Sequence, residues 1–171
     1  MFRILSLAAA AAVLPLSALA CDGFAAEEPY ARASGAMAQS GAAFMILHNH
    51  GAEDCQITAA RSDAAARTEL HSHVEDAQGV MRMVEIEGGI ALPAGGTHLM
   101  ARGADHVMLL GLTGPLVQGE TLALTFVFAD GAEATVDVTV DNDRATDGHG
   151  HDHSHGHSHG HSHGHGAARG D

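Results

Sequence analysis

Along the middle of the chain, apolar positions recur with a period of two in short runs, and Gly, Pro, Asn and Asp separate the runs. Such alternation marks half-buried strands, because successive side chains of an extended backbone point to opposite faces. The stretches that qualify are "PYARAS", "AAFMILHN", "CQITAARS", "TELHSHV", "GVMRMVEI", "THLMA", "HVMLLGL", "TLALTFVF" and "EATVDVTV". None of them carries a helical period over three turns. Between the last two lies "ADGA", whose Asp130-Gly131 is a strong signal for a tight hairpin. "LPAGGTH" and "LTGPLVQGE" read as loops. Many short strands, spaced at about ten residues, predict an all-β fold, a Greek-key β-sandwich or barrel.

The two ends depart from this pattern. Residues 1–20 carry one Arg, then an apolar run, then Ala18-Leu19-Ala20 ahead of Cys21, which is the layout of a secretory signal peptide rather than of a membrane span. One domain is expected over 21–142, a usual size for a single core, and a monomer is expected. From 143 to 171 the composition changes to Gly, Ser, Asp and His with nothing apolar to bury, so disorder is expected there. Nine of the fifteen histidines fall in this segment: His149, His151, His153, His155, His157, His159, His161, His163 and His165. Their spacing lets neighbouring imidazoles share an ion such as Cu(II) or Zn(II), with little selectivity because nothing fixes the geometry.

Export also makes the cysteines interpretable. Only Cys21 and Cys55 are present, and an oxidising compartment such as the periplasm favours one structural disulfide between them. A lipid anchor on Cys21 is the weaker alternative, since Ala18 and Leu19 match poorly the residues that precede a lipidated cysteine. Charge narrows the partners: 21 acidic residues stand against 8 basic ones, a net charge of −13. That excludes nucleic acid and anionic lipid and suits cations. No nucleophile and base, or acid and base, stand at convincing spacing, so neither an enzyme nor a small-molecule substrate is expected.

Outside the tail, His48, His50, His71, His73, His98 and His106 remain, with Met81, Met83, Met100 and Met108 among the strands and Met37 and Met45 nearer the N-terminus. A single Met in a strand is usually core filler, and a single His is usually a hydrogen-bonded surface residue. Here, however, they come in pairs two apart. "ELHSH" puts His71 and His73 on one face, "VMRM" does the same for Met81 and Met83, and "HVM" repeats it with His106 and Met108. The short "VEDAQG" between the first two makes them a hairpin, across which His and Met can meet. Thioethers are soft and lose no proton, so with imidazole they select Cu(I), and outside the cytoplasm they escape the oxidation that would disable a thiolate.

The arrangement "ELH…GVMRM…LPAGGTH…HVMLLGL…PL..GE.L.LTF.F", from about Glu69 to Phe128, resembles the periplasmic copper chaperones of the PCu(A)C family over nearly the whole domain. The resemblance implies a cupredoxin-like β-barrel that binds one Cu(I) through His71, Met83, His106 and Met108. It also implies a copper-accepting partner in cytochrome oxidase assembly. Eleven residues separate His71 from Met83 and twenty-two separate Met83 from His106, each one more than the family pattern, which keeps Met81 open as a ligand. His73 is the expected auxiliary ligand. His98 and Met100 form a second His-x-Met, but a turn-like "ARGAD" follows it, whereas "HVM" runs on into "LLGL".

Two other metal proteins compete with this reading. A blue-copper carrier needs a Cys ligand, and no Cys follows Cys55. In an exported zinc or divalent-metal storage protein the His tail would be the main site and the methionines would be core, since zinc has little use for thioether.

Overall fold

The structure, a computed structural model, describes residues 21–145. The expected leader and the histidines from His149 to His165 lie outside the described residues. Within them the chain forms ten strands and no helix. In order these are β1 (Phe24–Ala33), β2 (Ser40–Asn49), β3 (Cys55–Arg61), β4 (Ala65–Glu75), β5 (Met81–Glu85), β6 (Ile90–Leu92), β7 (Thr97–Met100), β8 (His106–Leu112), β9 (Thr121–Phe128) and β10 (Glu133–Val140).

All ten belong to one sheet, ordered β5-β4-β8-β2-β1-β10-β9-β3-β6, with β7 paired to β2 off this path. Every pairing is antiparallel except β1 with β10. Buried side chains from strands across the whole order, among them Leu70, Val107, Leu47, Ala31, Val138, Phe126, Ile57 and Leu92, form a single cluster. A sheet whose strands share one core must curl over it, which gives the sandwich or barrel that the strand pattern predicts.

The hairpin at Asp130-Gly131 forms as its sequence requires: Gly131 adopts φ +83°, and Asp130 Oδ1 accepts the Ala132 amide. The strand missing from the sequence pattern is β6. Its three residues lie between Gly88-Gly89 and Pro93, too short to show a period, yet Ile90 and Leu92 are buried and the segment pairs with β3. Cys21 and Cys55 are bonded, with Cα atoms 5.6 Å apart, which ties the start of the described chain to β3.

Candidate metal centre

Four adjacent strands, β5, β4, β8 and β2, make one end of the sheet, and cross-strand pairing decides what shares a face there. His71 lies opposite His106, Glu69 opposite Met108, and on the other side of β4 His73 lies opposite Met83 and Glu75 opposite Met81. His71, His73, Met81, Met83, His106 and Met108 therefore occupy a single face. The other face of the same strands supplies Leu70, Val107 and Leu109, buried to 3% exposure or less. One alternation thus builds both core and candidate site.

The β4–β5 turn sets the register that brings Met83 to His73. Gly79 takes φ +79°, which a side chain would resist, and Asp76 Oδ1 accepts the amides of Gln78 and Val80. Asp76 Oδ2 also accepts from Arg82 Nε at 2.6 Å. That guanidinium, with the Val80 amide, holds the Asp76 carboxyl below its ordinary pKa.

His73, Met83, His106 and Met108 line a groove of about 430 Å³ together with Ala42, Phe44, Arg32 and Arg102. His71 is not part of that lining. It stands one step along β4, its ring edge-on to His106 with centroids 6.0 Å apart, while the His73 ring lies 5.1 Å from His106. Met83 is half exposed, and His106 is buried at 2% exposure with its ring 5.9 Å from that of Phe44.

The hydrogen bonds specify which ring nitrogens are free. His106 Nδ1 is 2.9 Å from the Ala104 carbonyl. A carbonyl can only accept, so Nδ1 carries the proton and Nε2 keeps its lone pair. Burial lowers the His106 pKa, the Ala104 bond opposes that shift, and nearby His73 and His71 add to it; the ring is held neutral, the form that can ligate. His71 Nε2 is 2.7 Å from Glu69 Oε2, and its Nδ1 is buried without a hydrogen-bond partner. Two imidazoles therefore offer bare nitrogens beside two thioethers. Among the described residues no three His, Cys, Asp or Glu side chains gather in a way that could hold a metal ion, so the set becomes a site only when thioether sulfur counts as a donor. That donor chemistry fits a soft cation.

The other candidates lie elsewhere. Met100 is opposite Met45 and buried at 1% exposure in the core, and His98 is opposite Leu47 with Nε2 3.0 Å from Asp105 Oδ2. Neither lines the groove. Met81 shares the site's face but sits opposite Glu75, one step further out than Met83. Glu69, Phe44 and the Ala104 carbonyl were not singled out from the sequence. Glu69 had a signal, since it alternates with His71 in "ELH"; the carbonyl had none.

Residues 24–140 match the sequence model of the family described as "Putative lipoprotein LpqE-like". The chain belongs to the LpqE-like family. A protein of Leifsonia xyli subsp. xyli (strain CTCB07) named "Putative lipoprotein Lxx21020" is 34% identical over 141 residues, 80% of this chain and 83% of that protein. Among solved structures, the copper-bound PCuAC domain from PmoF2 superposes with a TM-score of 0.57 at 21% identity, covering 72% of this chain and 97% of that domain. The solution structure of CuI-DR1885 from Deinococcus radiodurans gives a TM-score of 0.53 at 30% identity, covering 69% of this chain and 79% of that one. This LpqE-like protein thus has the cupredoxin-like all-β fold of the PCuAC domains.

Proposed function

We propose that this LpqE-like protein is an exported copper chaperone of the periplasm, which holds Cu(I) through His71, Met83, His106 and Met108 and passes it to a copper-accepting protein, towards the copper centre of cytochrome oxidase. The observation that carries the reading is the gathering of imidazoles and thioethers on one sheet face beside an open groove. The similarity to a domain solved with copper and to a protein solved with Cu(I) adds to it. His73 is the auxiliary donor, placed opposite Met83.

The chemistry asked of the site is ligand exchange without change of oxidation state. Four neutral donors leave the cation's charge uncompensated, so it is held by soft coordination alone and stays open to an incoming ligand. Half-exposed Met83 is the donor that an acceptor's ligand can displace from solvent. The His-rich segment, by its composition, captures Cu(II) or other divalent metal.

Anaerobic Cu(I) titration of a chain lacking residues 145–171 tests the assignment, with His71, Met83, His106 and Met108 substituted one at a time. Each substitution is expected to weaken Cu(I) binding, and unchanged affinity in all four defeats the reading. A parallel comparison of Cu(II) and Zn(II) stoichiometry with and without the tail should show several ions lost on truncation. No loss removes the capture role.

A further inference from the structure

Arg67, Glu69 and His71 alternate along β4 and so share the face that carries the site. Glu69 lies opposite Met108, as His71 lies opposite His106. Both Glu69 oxygens are engaged: Oε1 is 2.5 Å from Arg67 Nε and Oε2 is 2.7 Å from His71 Nε2. The Glu69 and His71 side chains are only 15% and 14% exposed, whereas Arg67 is 69% exposed. An ion pair at the surface alone would contribute little, but this carboxylate is itself mostly covered and rests against a ring that is only 14% exposed.

A carboxylate accepts and cannot donate, so its contact places the proton of neutral His71 on Nε2. The lone pair then falls on Nδ1, which is buried and has no partner of its own. Buried polar atoms are normally paired, and an orphan needs an explanation. A cation at the site would supply the missing partner.

Resting on the Cu(I) reading above, we propose that Glu69 is a positioning residue. Its carboxylate, clamped by Arg67, holds His71 as the Nε2–H tautomer and turns the bare Nδ1 toward the cargo. Glu69 is not itself a ligand, because both of its oxygens are already committed. A carboxylate behind a ligating imidazole fixes the ring's orientation and raises its basicity, and removing such a partner weakens metal binding about 10- to 100-fold.

The test uses the whole chain with Cu(I) and bicinchoninate as competitor. Occupancy of the folded site is read from the ε-methyl resonances of Met83 and Met108, to which the tail contributes nothing. Glu69→Ala should weaken Cu(I) binding about 10- to 100-fold. Glu69→Gln, which preserves the shape and can still accept from Nε2–H, should lose less and covers the case in which the alanine variant fails to fold. Without metal, long-range nitrogen–proton spectra should show His71 as the Nε2–H tautomer in the wild type and as a mixture in Glu69→Ala. In a His71→Ala background, adding Glu69→Ala should cost nothing further.

Four outcomes are distinguishable. The predicted pattern supports the proposal. Weakened binding in His71→Ala with unchanged affinity and tautomer in both Glu69 variants overturns the role of Glu69 and leaves the copper reading standing. Additive losses in the double variant make Glu69 a direct ligand and also overturn it. Unchanged affinity in His71→Ala instead defeats the ligand assignment, and the Glu69 proposal falls with it.

Discussion

His98-x-Met100 on β7 and His106-x-Met108 on β8 share a sequence pattern and a partner strand, since both strands pair with β2. They differ in the parity of that pairing. Met100 and His98 face Met45 and Leu47, whose side chains belong to the core, while Met108 faces Ala42, which lines the groove. Side chains alternate strictly along a strand, so odd positions of β2 look inward and even ones look to the other face, where Ala42 and Phe44 line the groove. A His-x-Met is therefore structural or a candidate site according to a one-residue choice of register.

The largest expected effect breaks the pair on the β7 side. Met100→Ala removes a side chain buried at 1% exposure and should destabilise the protein by about 2–5 kcal/mol. Met108→Leu is close to volume-conserving and should cost less than about 1.5 kcal/mol. Urea denaturation reads both. If Met108→Leu proves the more destabilising, the division into core methionine and site methionine is wrong.

In Cu(I) affinity the order should invert. Met108→Leu removes a thioether donor, and its loss should be at least the roughly 10- to 100-fold expected for removing an outer partner. Met100→Leu should leave affinity within about threefold, provided that it folds, because core swaps of equal volume change little. Competitive titration of the two variants makes the comparison directly.

How much of this was legible in the sequence follows from the same alternation. The run "HVMLLGL" coincides with β8, and the β4–β5 hairpin was readable from "TELHSHV" and "GVMRMVEI" because a period of two shows over five or more residues. β6 was not, since three residues between glycines and a proline carry no period. The hairpin let a His and a Met meet without saying which, and strand register puts His73 directly opposite Met83 and His71 opposite His106. Register across strands depends on turn geometry and tertiary pairing, and one chain of letters states neither. The tautomers of His71 and His106 were out of reach too, because one is set by a side chain two residues away and the other by a backbone carbonyl.

Acid should sharpen the contrast from the β8 side. Burial lowers the His106 pKa in the folded metal-free protein, whereas in the unfolded chain it returns to about 6.5. The unfolded state then binds the proton more readily, so stability is full above about pH 6.5 and declines as pH falls toward the folded-state value. Urea midpoints between pH 7.5 and 5 should drop in the wild type and drop less in His106→Asn. Equal slopes for wild type and His106→Asn would remove the buried neutral ring from the account.

The smallest expected effect separates the two methionines of β5, which exposure does not distinguish, since Met81 is 53% and Met83 46% exposed. Pairing does: Met83 is opposite His73 and lines the groove, while Met81 is opposite Glu75 beyond it. Neither side chain is buried, so Leu at either position should shift stability by less than about 0.5 kcal/mol, as surface substitutions do. Any difference in Cu(I) affinity then reports coordination and not folding. Met83→Leu should weaken binding clearly, and Met81→Leu should change it by less than about twofold, which is within about 0.4 kcal/mol. The reverse order would move the fourth donor one step out along β5 and place the cation over Glu75 and Met81, away from His106.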